Sequence, residues 1–393
     1  MTDLMRNDLR PLFKTTSSAH AGLLIQRGLT KWEDGEKRTK QTLIHDKIAN
    51  VRTNELYFLA FKRWLKHTDE SGNQNFACVS ATINGRLFTG LPLGGTLETG
   101  VSTHHTYGMP MLAGSSIKGA VRSYTEFLFA LRKDNGEIDY LEKTDNQGNT
   151  TKHYQFSKDN QAIIDILFGA DDDEDSNAGY LIWHDAWWIP PVTSDAKLST
   201  GEHNNPFAEE IVTVHHQKYY SGEMTEALDI ENPIPNQQVA VQGSFYFVIE
   251  GVYAWAQYAK KLLEQTIQHQ GLGAKSGAGY GYFVIDEKLT DNHRDTIQES
   301  IADLLDAQLT EEERTINDFV KHLNNLTIAW KGKPNQSCGF NEFYEKIIQW
   351  QDKAMLKKAY EILTEQGKIW QGKPLKDSKS WRPKLQQLRA KFE

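Results

Sequence analysis

Apolar residues recur along this chain at two periods, and the switches between them outline its elements. Leu56, Tyr57, Phe58, Phe61, Trp64 and Leu65 fall at helical spacing and predict a helix that packs aromatic rings inward. Alternation over 77–83 predicts a strand, with a second short one over 86–91. Ile117, Ala120, Val121, Tyr124, Leu128 and Leu131 then return to the helical period, so a helix is expected from Ser116 to near Arg132, before Asp134-Asn135-Gly136. The polar stretch 134–160 has the composition of an insertion or mobile loop. A short apolar helix over 163–168 is stopped by Gly169, and 180–189 has the aromatic and β-branched content of a buried strand ended by Pro190-Pro191. After a segment of low regularity from 193 to 236 come a strand over 244–250, a helix over 253–269 and a last strand over 282–286.

Strand, helix, strand, strand, helix, strand can thus be laid on 86–286, an α+β, ferredoxin-like (RRM-like) arrangement with long insertions. Beyond Leu289 the period is helical throughout. Thr310-Glu311-Glu312-Glu313 forms a capping box, 341–367 reads as one long or two shorter helices, and 380–392 as another. The expected organisation is a basic leader over 1–75 containing the first helix, an α+β domain over 76–289, and an all-α module over 290–393.

Composition changes this picture in one respect. Of 393 residues, 39% are hydrophobic and 24% charged, ordinary for a soluble globular chain, and the net charge of −8 argues against a polyanionic partner. The charge is unevenly placed, however. Residues 1–66 carry 13 Lys/Arg against 7 Asp/Glu and residues 330–393 carry 14 against 7, leaving 17 against 38 between them. Contact with a polyanion must therefore be local. The N-terminus lacks an apolar signal core and no apolar run reaches membrane-spanning length, so the expectation is a cytoplasmic protein with no membrane contact. Cys78 and Cys338 belong to no CxxC pair, which indicates neither a disulfide framework nor a thiolate zinc site.

The candidate chemistry centres on Gly114-Ser115-Ser116-Ile117-Lys118-Gly119-Ala120-Val121-Arg122. The N-terminal end of a helix macrodipole is positive, so a lysine in the first turn is unfavourable unless something negative sits there too. Amide N–H groups, two hydroxyls, Lys118 and Arg122 describe a phosphate site; a serine-capped helix with an incidental solvated lysine also accounts for the pattern. A second stretch, Gly271 to Gly281, has glycines at 271, 273, 277, 279 and 281 around Lys275 and Ser276. Such density lets a backbone approach a sugar-phosphate chain closely, or simply makes a bend between helix and strand. It is not a nucleotide P-loop, because Ala274 precedes the lysine and a strand follows where a helix is required.

The histidine pairs His104-His105 and His215-His216 offer acid–base groups, but neighbours on an extended segment point to opposite sides and cannot chelate one metal. His184-Asp185, within an apolar strand, reads as a buried, paired couple. Asp171 to Asp175 reads as a solvated loop tip, without the ligand pattern of an EF-hand. No cofactor or metal is expected.

Taken together, these motifs resemble the RAMP superfamily of CRISPR proteins, which pair a Gly-Ser-Ser-x-Lys-Gly-x-x-Arg helix start with a C-terminal glycine-rich loop. Within it the pattern is most similar to the sixth RAMP subunit of the Cmr, or type III-B, effector complex. The residues that carry this are Leu97 to Gly100, His104 to Pro110, Phe168-Gly169, Asp185-Ala186 and His216 to Tyr220, in that order across 77–286. The resemblance implies a subunit without catalytic activity that caps the backbone near the 3′ region of the CRISPR RNA. Its partners would be CRISPR RNA, target RNA and other Cmr RAMP subunits, and cleavage would belong to other subunits. Guide phosphates would be held at Gly114, Ser115, Ser116, Lys118 and Arg122 and at Gly271, Gly273, Lys275, Ser276, Gly277 and Gly279. The alternative is a RAMP endoribonuclease that processes CRISPR RNA with His104 or His105 as general acid or base. Metal-dependent cleavage through Asp171 to Asp175 is a third reading.

Overall fold

A computed structural model describes residues 2–11, 17–32, 37–93, 97–144, 148–170, 176–192, 205–214, 216–227, 234–325, 339–371 and 374–393. The expectations at Asp171 to Asp175, His215 and Cys338 lie outside these residues. The chain divides into two compact units, Met1–Ile297 and Gln298–Glu393.

The first unit is built on an antiparallel sheet. Its strands lie in the order Phe283–Ile285, Phe76–Ile83, Ser244–Glu250, Ala186–Trp188 and Met111–Leu112, and Ile182–Trp183 also pairs with Ser244–Glu250. Helix Gly114–Phe129 lies between the first and second strands of the motif and helix Tyr253–His269 between the third and fourth, which is the split βαβ arrangement expected. The opening strand is Phe76–Ile83, one element earlier than the Arg86 start predicted. Residues 86–91 form no sheet strand: Leu87 and Phe88 make single bridges to Val241 and Ala274.

Both faces of the sheet are covered, which is why Phe76–Ile83 is apolar almost continuously. On one face Ala77, Val79, Ala81, Phe245 and Phe247 pack against Ile117 and Val121 of the Gly114 helix and Ala256, Ala259, Leu263 and Ile267 of the Tyr253 helix. On the other, Phe76, Cys78, Tyr246 and Val248 pack against Phe61 and Leu65 of helix Glu55–His67. Fully burying a side chain such as Phe61 contributes roughly 1.5–3 kcal/mol. A buried polar seam pins this helix to the sheet: the Thr68 hydroxyl bonds the Tyr246 phenol at 2.9 Å, and the Cys78 thiol donates to the Thr68 carbonyl. The basic N-terminal stretch is built into the same interior, since Leu24, Ile25, Ile44, Ile48, Val51 and Tyr57 share the main core with the sheet.

Four local expectations are corrected. The polar stretch after residue 134 is a hairpin, Tyr140–Thr144 paired with Thr150–Tyr154. The segment expected to be irregular contains an eight-residue ladder, Phe207–Val214 with Ile234–Val241, whose Glu209-Glu210 and Asn236-Gln237-Gln238 obscure the alternation. The Tyr180 to Ile189 strand is two short strands broken at His184-Asp185. Finally, the buried stripe of the Gly114 helix is Ile117, Val121 and Thr125, while Leu128 and Leu131, each 40% exposed, lie off it.

The second unit carries helices Glu311–Asn325, Phe340–Ile347, Lys353–Gln371 and Trp381–Phe392. The capping box forms as read: Glu313 N–H donates to the Thr310 hydroxyl at 3.2 Å, and Thr310 N–H to the Glu313 carboxylate at 3.1 Å. Residues 341–367 resolve into two helices because Asp352 Oδ1 caps the second, accepting N–H bonds from Ala354 and Met355. Phe319 and Phe343 stack with ring centroids 4.0 Å apart inside this unit's own core.

Candidate nucleic-acid interface

The helix start differs from its sequence reading in how it is capped. Ala113, not a serine, occupies the N-cap, with no side-chain bond of its own. Gly114 N–H instead donates to Asp185 Oδ1 at 2.7 Å, and Ser116 and Ile117 N–H both reach the Ala113 carbonyl. Gly114 is required here because a Cβ would overlap the Trp183 carbonyl. The carboxylate that the misplaced lysine demanded is therefore supplied from within the protein. Most amide donors of this helix start are already used. What stays open is the Ser115 N–H and the Ser115 and Ser116 hydroxyls, which have no acceptor among the described residues, and the Gly119 surface, where a Cβ would meet nothing.

The cations sort likewise. Arg122 is engaged, its Nε 2.7 Å from Glu126 Oε1 one turn on. Lys118 and Lys275 have no ion-pair partner among the described residues, and Lys275 is exposed.

The glycine loop has two kinds of glycine. Gly273 and Gly281 are packing positions, since a Cβ at either would overlap the carbonyl of Phe88 or Leu272, and at Gly271 one would crowd the Gly281 carbonyl. Gly277 and Gly279 face open space. The loop is held by Phe88: Ala274 N–H donates to the Phe88 carbonyl at 2.8 Å, and the Phe88 and Tyr280 rings lie 4.8 Å apart. Lys275 sits in the left-handed region at φ 61°, ahead of the short 3₁₀ turn Ser276–Ala278. Ala278 and Tyr280 N–H turn inward to the Lys275 carbonyl and Gly279 N–H to that of Ser276. The N–H groups of Lys275, Ser276 and Gly277 have no acceptor among the described residues, so successive amides follow a left-handed residue, the arrangement of an anion-binding nest. The amide cradle thus belongs to the loop more than to the helix start. Opposing charge is present too: Tyr280 reaches Glu210 Oε1, and burial followed by that carboxylate raises the Tyr280 phenol pKa.

The two motifs are attached to neighbouring helices. The Gly114 and Tyr253 helices pack on the same face of the sheet, and Tyr124 stacks on His269 with centroids 6.5 Å apart, two residues beyond Arg122 and two before Gly271.

His104 is wedged between Tyr107 and Trp187, at 4.7 and 4.9 Å, with Nδ1 accepting the Thr106 N–H. Burial pushes its imidazole pKa down, opposed by Asp185 and reinforced by His105 and His20. His105 is exposed and offers its carbonyl to His20 Nε2. His184 does not pair with Asp185 as expected: its Nε2 lies 2.8 Å from Glu250, half-exposed, because the strand break turns Asp185 toward Gly114. Asp185 and Phe88 are the site residues that sequence reasoning missed. An acidic residue interrupting an apolar run was the available signal for the first; nothing local marks the second. Among the described residues no three His, Cys, Asp or Glu side chains gather as a metal site, and no helix is long and apolar enough to cross a membrane.

Several solved structures are similar to this chain. A chain of a type III-B Cmr-beta complex bound to cognate target RNA aligns over 72% of this chain and 86% of its own, at 17% identity and a TM-score of 0.41. Cmr6 from Pyrococcus furiosus aligns over 55% and 99%, at 19% identity and a TM-score of 0.33. A chain of a type IV-B CRISPR complex aligns over 54% and 90%, at 14% identity and a TM-score of 0.31. No curated protein matches. Residues 81–284, just over half of the chain and spanning both the Gly114 helix start and the glycine loop, match the model of the RAMP superfamily, and the chain belongs to that superfamily.

Proposed function

We propose that this RAMP protein is a non-catalytic, RNA-binding structural subunit of a type III-B (Cmr) CRISPR RNA-guided complex. It caps the backbone near the 3′ region of the CRISPR RNA and holds guide phosphates without reading their sequence. The observation that carries the phosphate role is the glycine loop, where left-handed Lys275 is followed by amides at Ser276 and Gly277 that have no acceptor among the described residues, and where its ammonium has no ion-pair partner among them. Lys118 and the Ser115 and Ser116 hydroxyls add donors from the helix start. Amides and ammonium groups recognise backbone charge and not base edges, as a guide-holding subunit requires. The order of motifs across 77–286 supports the Cmr assignment within the superfamily.

The test is purification of the native protein with whatever accompanies it, followed by mass spectrometry and RNA sequencing. Other RAMP subunits with a short CRISPR RNA are the expected result; the protein alone, or with unrelated RNA, would overturn the reading. A labelled guide precursor incubated with the pure protein, with and without EDTA, is expected to stay intact. Cleavage in EDTA would assign a histidine ribonuclease instead, and cleavage only without EDTA a metal-dependent one.

A further inference from the structure

One largely apolar concavity among the described residues belongs to none of the motifs above. It is a half-open groove of about 590 Å³ between the segment running from Leu4 to Leu9 and helix Ala21–Arg27. Leu4, Leu9, Leu23 and Leu24 line it, and Leu4 and Leu23 keep 44% and 59% of their surface exposed. Leu23, left open on a helix that buries Leu24 and Ile25 against the core, and the exposed Leu4 on the facing segment mark an apolar contact surface. Arg6 and Arg27 also line the groove, and among the described residues no carboxylate does. Arg27 has no ion-pair partner among the described residues, and Arg6 meets only Asp8, at 3.8 Å in solvent, where such a pair contributes little.

We infer that this groove docks a segment of a partner protein that presents two or more large aliphatic or aromatic side chains beside Asp or Glu. Charge complementarity selects an acidic occupant, because two arginines line the groove with no lining carboxylate among the described residues. The floor selects protein over RNA. Among the described residues it contains no Phe, Tyr or Trp on which an unpaired base could stack, and Leu4, Leu9, Leu23 and Leu24 present aliphatic surface suited to apolar side chains. The volume exceeds what one side chain fills, so more than one anchor is required. The inference is independent of the phosphate-holding role.

The full-length chain with Leu23 replaced by the photo-crosslinker p-benzoylphenylalanine, expressed in its native host and irradiated, tests it. Leu23 is exposed on its helix, so the substitution leaves the core untouched. The expected product is a crosslink to a different protein, mapped to a segment with apolar anchors flanked by Asp or Glu. Adding Arg27→Glu should lower the crosslink yield about two- to fivefold, the effect of one exposed charge pair. A crosslink to RNA, to a neutral or basic protein segment, to this chain itself, or to nothing overturns the inference, as does a yield insensitive to Arg27→Glu.

Discussion

The Asp185 carboxylate accepts the Gly114 N–H at 2.7 Å, joining a break in one strand to the start of the helix that carries the RAMP signature. Seventy-one residues separate the two, so neither sequence neighbourhood reveals the bond. A charged acceptor at a helix N-terminus satisfies an orphan amide and complements the macrodipole together. It also explains how Lys118 is tolerated in the first turn before any ligand arrives.

Removing that acceptor tests its weight. Asp185→Ala is expected to cost about 1–3 kcal/mol in chemical denaturation, from an amide left without its charged acceptor. Asp185→Asn, which keeps an acceptor oxygen, should recover most of the loss. Equal stability of all three proteins would show that the bond contributes nothing.

For RNA retention, Lys275→Glu and Lys118→Glu are expected to weaken binding and flatten its salt dependence, by roughly 0.7 in log–log slope for each phosphate that is no longer neutralised. Arg122→Ala should do less, since Glu126 already holds that guanidinium. Lys275→Gly separates charge from backbone: it keeps the left-handed conformation, so the fold should be preserved while one phosphate goes without its ammonium. Filter binding across a salt series reads each change.

Cys78 is expected to resist alkylation in the native protein. Burial first pushes its thiol up to about 12, so thiolate is scarce at pH 8, and the sulfur lies beneath the Glu55 helix. Peptide mapping after iodoacetamide treatment should find the Cys78 peptide unmodified until denaturant is added. Prompt native labelling would mean that the helix does not stay closed over this face.

Acid should loosen the same side of the sheet. His293 Nε2 donates to the Pro190 carbonyl, its ring packs against those of Phe58 and Phe61, and its Nδ1 is buried with no hydrogen-bond partner among the described residues. Burial chiefly pushes its pKa down to about 4, with the Pro190 bond opposing and Lys62 reinforcing. The unfolded chain, with an ordinary value near 6.5, binds the proton more readily between those limits, so stability is full above pH 6.5 and falls toward pH 4. The loss is on the order of 3 kcal/mol at 1.36 kcal/mol per unit. His293→Gln, which retains a donor for Pro190, should be less stable at pH 7 yet show a shallower decline in urea midpoint between pH 7.5 and 4.5. Identical declines would remove His293 as the cause.

Some of this protein is determined by short stretches of its sequence. The Tyr253 helix, the Ser244 strand, the capping box at Thr310 and the two signature motifs depend on local period and local residue chemistry, and they form where those dictate. Other features depend on partners far away in the chain. Polar residues conceal the Phe207–Val214 and Ile234–Val241 ladder, because a strand that finds its partner needs less apolar alternation than one read alone. The serines at 115 and 116 look like caps and are not, because the tertiary fold delivers a stronger acceptor from Asp185. Density of glycine marked the 271–281 loop, but only packing separates Gly273 and Gly281, which admit the Phe88 and Leu272 carbonyls, from Gly277 and Gly279, which lie open. The sequence alone thus determined where cations and hydrogen-bond donors cluster. Tertiary structure decided which of those donors remain unspent, because a hydrogen bond made inside the fold is no longer available to a ligand.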